Sequence, residues 1–458
     1  MTSNSARSTA LLGGIPSYRK ILMYALPLSL AGLAMNLEQP IISGGISRLS
    51  QPELGLAAFG VVMSIGFWIE APIIMLIDLA TALGTDRVSF GVIRRYAMLW
   101  CGLVVAMMAL VGWTPVGTVM LRSILGVDAE IATRAHEALK ILIIWPAMVG
   151  WRRVHQGVLI RTGHTRVIGY FVGLRLTGTT TSVVVGTLTA AFAGPILGVV
   201  AMNIGLGIET LSTFLYTQRV IRQDLAPLPE DGAPPVNFKL LNHYFLPLVG
   251  SALCYNLVSP IVSAGLARSA APATSLAVWP VAYNLVQTTG SPLNGFQQVA
   301  IRLAARGPAV RKTRRFTLGA GVALSAFLMI SNLTGLTSII LRDVLGLPPS
   351  LDHPGQIACW ILTVLPAVVA MRSLCRGVLI HRGTTKPVQA ASALNFAIVM
   401  IGMLVIGSQI GLPGYELAAF TVLSASFAEA GILALRSLRG LSSSESDDTV
   451  VDAIAPAR

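Results

Sequence analysis

Shifted by 220 residues, the sequence aligns with itself. Tyr24, Leu26, Pro27 and Leu28 meet Tyr244, Leu246, Pro247 and Leu248. Asn36, Pro40, Ile41, Ser43, Gly45 and Arg48 meet Asn256, Pro260, Ile261, Ser263, Gly265 and Arg268. Across 24–48 and 244–268, 12 of 25 positions are identical, where an apolar bias alone gives roughly two or three. The same shift joins Leu121-Arg122, Leu125 and Gly126 to Leu341-Arg342, Leu345 and Gly346. It also joins Pro146, Arg152 and Gly157 to Pro366, Arg372 and Gly377. The chain is therefore two copies of one unit, and any fold must satisfy both.

Each unit is too apolar for water. Of 458 residues, 54% are hydrophobic and 12% charged, against about a quarter charged in soluble domains. A helix needs roughly 20 apolar residues to cross about 30 Å of hydrocarbon. Twelve such runs are legible, near 21–47, 54–83, 96–119, 131–160, 167–191, 195–217, 241–267, 274–301, 316–340, 356–380, 387–409 and 413–435. The sequence thus predicts an all-α membrane protein of twelve transmembrane helices in two six-helix bundles, related by a parallel internal repeat. An even number of spans per copy makes both copies enter the membrane in the same direction, a plan known among transporters.

The expected organisation is a cytoplasmic N-terminus over 1–20, bundles at 21–217 and 241–436, a cytoplasmic linker at 218–240, and a disordered cytoplasmic tail at 437–458. The first apolar run is too long for a signal-peptide core. Basic residues collect in alternate loops, including Arg94-Arg95, Arg219, Arg222 and the run from Arg311 to Arg315. Basic loops stay cytoplasmic, so both termini are expected on the cytoplasmic side, and the expected location is the plasma membrane. The net charge of +13 is then a topology signal, and nucleic acid is not a partner. Four cysteines lie in or beside apolar runs without C-x-x-C spacing, so no disulfide framework or metal site is expected.

Pro27, Pro40, Pro72 and Pro146 recur as Pro247, Pro260, Pro292 and Pro366. A proline within a span removes a backbone hydrogen bond and bends the helix, and curved helices framing a central cleft are expected. The Gly/Thr/Ser-rich fifth span, from Gly173 to Ser182, allows close helix approach.

Ionisable residues inside spans are costly and mark function by default. Glu209 and Glu429 are equivalent and near the cytoplasmic ends of their spans, where pairing with loop arginines such as Arg219 or Arg436 is expected. Glu38, Gln39, Glu70, Asp78 and His155 instead face Val258, Ser259, Gly290, Gln298 and Cys375, so the first copy holds acids that the second lacks. A carboxylate in low dielectric can titrate or bind a cation. Asn36, Glu38, Gln39, Glu70 and Asp78 are therefore the candidate ion-coupling residues, for H+ or Na+, with Glu38 foremost. Arg152 and His155, three apart and on one helical face, are candidate substrate-binding residues together with Asn256, Ser259 and Arg372.

The six-plus-six parallel arrangement resembles the MOP superfamily, which includes the multidrug and toxin extrusion (MATE) transporters. Within it, the chain resembles the progressive ankylosis (ANK) family. The likeness rests on Glu38-Gln39, Ala71-Pro72, Pro146 with His155, Gly157 and Leu159, Ser259-Pro260-Ile261-Val262 through Arg268, Pro366 with Arg372 and Gly377, and Arg302. It extends over residues 20–440 and departs in the third and ninth spans and the linker. Animal members are associated with export of anionic metabolites such as citrate, ATP and pyrophosphate, so the resemblance implies organic-anion efflux.

No G-x-x-x-x-G-K-[ST] loop is present, so ATP does not drive the protein directly. No H-E-x-x-H or G-x-S-x-G constellation is present either, and an enzyme is not expected. The expectation is a secondary active transporter, working as a monomer without a cofactor, by rocking of two bundles and alternating access, as an antiporter of a small organic anion. The alternative is a MATE-type cation-coupled multidrug exporter or a flippase of lipid-linked substrates.

Overall fold

A computed structural model describes residues 17–124, 127–229, 236–303, 307–345, 347–406 and 411–442. The expected N-terminal segment up to residue 16, the linker centre at 230–235, the tail from 443, and Leu125, Gly126 and Gly346 of the repeated motif lie outside the described residues.

The described chain is a succession of helical runs. In the first half they are α1 (Tyr18–Ile46), α2 (Pro52–Ile74, resuming as Leu76–Leu83), α3 (Arg87–Trp113), α4 (Ala129–Ile141, then Trp145–Thr162), α5 (Thr165–Thr189) and α6 (Gly194–Gln223). In the second half they are α7 (Phe238–Leu266), α8 (Pro272–Gly290, then Gly295–Leu303), α9 (Gly307–Leu333), α10 (Asp352–Ile361, then Leu365–His381), α11 (Lys386–Ile401) and α12 (Gly414–Ser442). The last helix continues into the stretch where the sequence suggests a polar tail. Among the described residues, nine helices are long and apolar enough by themselves to cross a membrane. The runs 129–162, 165–189 and 272–303 are less apolar, and the first two carry buried arginines, Arg152 and Arg175.

Burial follows the logic of a lipid-solvated protein. Leu99, Leu103, Met107 and Leu110 form an exposed stripe along α3, whereas Glu38, Asp78, Arg152, Arg175, Glu209 and Glu429 are buried. Exposed apolar and enclosed polar groups together require hydrocarbon outside, because every polar group must then find its partners within the protein.

The repeat reaches backbone detail. A 3-10 turn at Leu142–Ile144 precedes Pro146, and another at Leu362–Val364 precedes Pro366, 220 residues on. A π-helical turn at Met120–Ile124 matches one at Ile340–Val344. Pro72 lies just before the interruption of α2, and Pro292 sits in the 3-10 turn Ser291–Asn294 of α8. At the 3-10 turns and the interruption of α2 proline denies the helix one hydrogen bond, whereas neither π turn contains a proline. By contrast, Pro27 and Pro40 lie inside the unbroken α1, as Pro247 and Pro260 do inside α7.

Two compact units emerge, and their boundaries fall inside helices. Leu30–Val249 forms one; Met1–Ser29 with Gly250–Arg458 forms the other. Both α1 and α7 therefore begin in one unit and finish in the other. Within Leu30–Val249, α2 meets α4 so closely that a Cβ on Gly157 would lie 2.5 Å from Ala80 Cβ. In the second unit Gly377 meets Ala300 at the same 2.5 Å, so a glycine serves the same contact in both copies. Its core gathers Val278, Ala282, Leu362, Val369 and Val422, with Ile21 and Ala25 of α1.

Candidate functional site: two buried charge clusters

In the first unit, four helices converge on two carboxylates. Helix α5 approaches α6 closely because α6 has glycine at 205; a Cβ there would lie 2.0 Å from Thr179 Oγ1 and 2.8 Å from the Arg175 carbonyl. The Gly/Thr-rich fifth span thus does act in packing. One turn along α6, Glu209 is fully buried. Arg152 Nη1 of α4 donates to its Oε2 at 2.6 Å, Arg175 Nη1 of α5 donates to the same oxygen at 3.3 Å, and Gln156 Nε2 donates to Oε1 at 3.1 Å. Arg175 also grips Glu38 of α1, with Nε donating to Oε1 at 2.9 Å and Nη2 donating to Oε2. Thr179 adds a hydroxyl to Glu38 Oε1 at 2.9 Å. Glu70 of α2 and Arg153 of α4 complete the group, each within electrostatic reach of the other. Three carboxylates (Glu38, Glu70, Glu209) face three guanidiniums (Arg152, Arg153, Arg175), and the charges balance.

The second unit repeats the position and changes the sum. Glu429 of α12, equivalent to Glu209, is fully buried. Its oxygens are taken by neutral donors. The Tyr255 hydroxyl donates to Oε2 at 2.8 Å, Asn395 Nδ2 donates to Oε2 at 3.1 Å, and the Ser392 hydroxyl donates to Oε1 at 3.3 Å. Two guanidiniums of α10 stand beside it. Arg372 Nη1 is 3.7 Å from Oε2 and Arg376 Nη1 is 3.6 Å from Oε1, both beyond hydrogen-bond reach. Arg376 donates instead to Ser251 Oγ at 3.0 Å and Ser392 Oγ at 3.4 Å, and its buried Nε has no hydrogen-bond partner among the described residues. The Tyr255 ring lies 4.9 Å from the Arg372 guanidinium and 5.5 Å from that of Arg376, a stacking that suits a delocalised cation. Among the described residues one carboxylate serves two guanidiniums, which leaves one positive charge uncompensated.

The 220-residue shift accounts for the difference. Glu38 with Arg175 becomes Val258 with Asn395, and Glu70 with Arg153 becomes Gly290 with Ser373. Each change deletes an acid and a base together. Gln156, however, becomes Arg376, which adds a cation without an acid.

No protein-family model matches the chain, and no curated protein matches it in sequence. Solved structures do match. A MATE crystal structure in the bent conformation superposes with a TM-score of 0.77 at 14% identity, covering 96% of this chain and 98% of that one. A MOP superfamily transporter from Pyrococcus furiosus superposes with a TM-score of 0.70 at 13% identity, covering 94% and 98%. The Vibrio cholerae MATE transporter VcmN, as a mutant, gives 0.70 at 14% identity, covering 92% and 97%. The chain has the MATE fold.

Within this MATE-type fold the residues singled out by sequence separate into groups. Glu38 and Arg152 share one network through Arg175 and Glu209, and Arg372 belongs to the Glu429 cluster. Glu70 joins the first network by charge. Asp78 is buried at 1% exposure, further along α2 and within electrostatic reach of Tyr244. Gln39 is half-buried and Asn36 is exposed. Asn256 is half-buried and Ser259 exposed, and Tyr255 beside them makes the contact to Glu429. His155 is fully buried in an aromatic nest, with ring centroids 4.8 Å from Trp151, 5.3 Å from Phe214 and 5.8 Å from Phe90. Its Nδ1 bonds the Trp151 carbonyl at 2.8 Å.

One expectation is corrected. Glu209 and Glu429 do not pair with loop arginines such as Arg219 or Arg436; they pair inside the bundles with Arg152 and Arg175, and with Arg372 and Arg376. Depth along a span is readable from sequence, whereas rotation toward a neighbouring helix is not. Arg376 and Asn395 were missed for the same reason. The available signal was the four-residue spacing of Arg372 and Arg376, which puts both on one face.

Proposed function

We propose that this chain is a multi-pass secondary active transporter that exports a small organic or phosphate-bearing anion, of the citrate, ATP or pyrophosphate class, across the plasma membrane by alternating access. The observation that carries this reading is the surplus guanidinium of the second unit, where Arg372 and Arg376 share the single carboxylate of Glu429. A buried charge without a partner is expensive, and an arriving carboxylate or phosphate supplies the partner. Arginine suits both through paired donors in a planar fork. Three features support the choice of anion over cation. Glu38, Glu209 and Glu429 already face guanidiniums; the resemblance to the ANK family points to anionic metabolites; and the Pyrococcus furiosus neighbour is itself described by the reverse polarity of its binding pocket. An inside-negative potential favours outward movement of net negative cargo, by about 2.3 kcal/mol per charge per 100 mV.

The second reading, a MATE-type cation-coupled multidrug exporter, draws on the fold, since one neighbour is a multidrug resistance MATE transporter. Uptake and efflux in proteoliposomes decide between them, with citrate, ATP, pyrophosphate and ethidium offered under imposed pH, Na+ and electrical gradients. Movement of an anion is expected. Movement of ethidium alone would overturn the anion reading.

A further inference from the structure

The charges of the first unit are not all held alike. Glu38 and Glu209 accept hydrogen bonds at both oxygens. Glu70 is 6% exposed, and its Oε2 has no hydrogen-bond partner among the described residues. The charged groups facing it are Arg153 first, then Arg152, both on α4, and Arg175 on α5. Glu209 of α6 lies one step further, within reach of Arg153. Helix α3, which also packs on α2, presents no charge to it among the described residues. Arg153 in turn leaves its buried Nε without a partner. The two interact through charge at longer range, without a hydrogen bond or close ion pair between them among the described residues, and hydrogen-bonding capacity is unused on both sides. Buried polar atoms are ordinarily satisfied, and exceptions call for an explanation.

An ion that fills the vacancy has to suit guanidinium neighbours. A sodium ion would need several oxygen ligands and would meet three positive groups. A proton needs one free carboxylate oxygen.

We propose that Glu70 is a proton site whose charge state sets the anion affinity of the first unit; this rests on the anion-transport reading above. In the step, an O–H bond of hydronium breaks as an O–H bond forms on the free carboxylate oxygen, and a water molecule is left behind. With Glu70 ionised, three carboxylates balance three guanidiniums. With Glu70 protonated, Arg153 is left uncompensated and the unit gains the single surplus charge that Arg376 gives the second unit at every pH. Proton and anion therefore bind together, and each raises the affinity for the other by the same factor. The position has no counterpart in the second unit, where Gly290 and Ser373 stand.

The test uses the full chain in lipid, with two readouts. Infrared difference spectra against pH are expected to show a protonated-carboxyl band that disappears in Glu70→Gln and moves to the aspartic acid frequency in Glu70→Asp. Glu70→Asp keeps the test open if the Gln variant does not fold. Glu38→Gln is expected to leave the band in place. Calorimetry with citrate and with inorganic phosphate, in buffers of differing ionisation enthalpy, is expected to show uptake of up to about one proton per anion, and affinity rising up to about tenfold per pH unit on acidification. Both are lost in Glu70→Gln. A band that persists in Glu70→Gln, or stays unshifted in Glu70→Asp, while anion binding is intact would overturn the Glu70 assignment and leave the anion reading standing. A band that behaves as expected while neither anion binds would overturn the anion reading, and the coupling with it.

Discussion

Arg175 holds Glu38 through two nitrogens and reaches past it to Glu209 Oε2 at 3.3 Å. One side chain thereby ties α1, α5 and α6 together inside the first unit. The second unit manages the same position without either charge, because Val258 stands for Glu38 and Asn395, standing for Arg175, donates to Glu429 at 3.1 Å. The internal repeat thus supplies a replacement that already fits.

Removing one member of a buried ion pair strands the other, at about 3–5 kcal/mol. Glu38→Val alone and Arg175→Asn alone are each expected to lower stability by about that much. The double variant is expected to recover most of the loss, since it restores the balance and imports the pairing of the second unit. Thermal or denaturant unfolding of the purified protein in detergent, arranged as a double-mutant cycle, measures the coupling. Additive losses would contradict it.

Arg376→Gln restores at its position the residue of the first unit, Gln156. The cluster then loses its surplus charge, and the fold is expected to tolerate the change. Hydrogen bonds to charged groups contribute about 1.5–3 kcal/mol, so anion affinity is expected to fall about tenfold or more. Flux of citrate or pyrophosphate against concentration is the measurement, and unchanged affinity would count against the site.

Gly205 sets the approach of α5 to α6. Gly205→Val is expected to push the helices apart, because even the first carbon of the new side chain meets Thr179 Oγ1 at 2.0 Å. Overpacking costs about 1–3 kcal/mol. Here it also misplaces Arg175 and Glu209, so stability and flux are expected to fall together.

Asp86, between α2 and α3 and outside the spans, offers a pH-dependent test. Its Oδ1 accepts from the Ser89 amide at 2.8 Å, and its Oδ2 accepts from the hydroxyls of Ser89 at 2.6 Å and Thr85 at 2.8 Å. Burial opposes its charge, but the bonds from Ser89, Thr85 and the Val88 amide outweigh that and hold the carboxyl below its ordinary value of 3.8. A group lowered on folding stabilises the fold fully above its unfolded value and ceases to do so as pH falls through the folded one. Melting temperature is therefore expected to drop on acidification below that ordinary value, with this component missing in Asp86→Asn. At neutral pH, Asp86→Ala is expected to cost about 1 kcal/mol as a lost helix cap.

Sequence made the helical runs and the duplication plain, because both are written in properties that survive projection onto one dimension. Hydropathy places a residue in depth, and a fixed offset of 220 pairs Pro146 with Pro366 without any structure. The charge clusters were legible only in part. Glu38, Glu70 and Arg372 stood out as ions at mid-span, yet the partner of each lies on a helix whose facing side depends on packing. Arg152 and His155 share a helical face by spacing, but one points to Glu209 and the other into rings, since side-chain length and chemistry divide that face between them. Arg376 is a cation gained where the first copy has Gln156, a difference the offset of 220 makes legible, but its contact with Glu429 depends on how the helix is rotated.

The matched 3-10 turns at Leu142–Ile144 and Leu362–Val364 and the matched π turns lie beside interiors whose charges have diverged. After duplication, then, the scaffold and its contents answered to different rules. The turns are alike in both halves, whereas the polar contents differ: two acid–base sets stand in the first half alone, and Arg376 adds a cation to the second without an acid. An engineer could exploit that difference by transplanting whole acid–base sets from one half to the other, leaving the hinges and turns untouched.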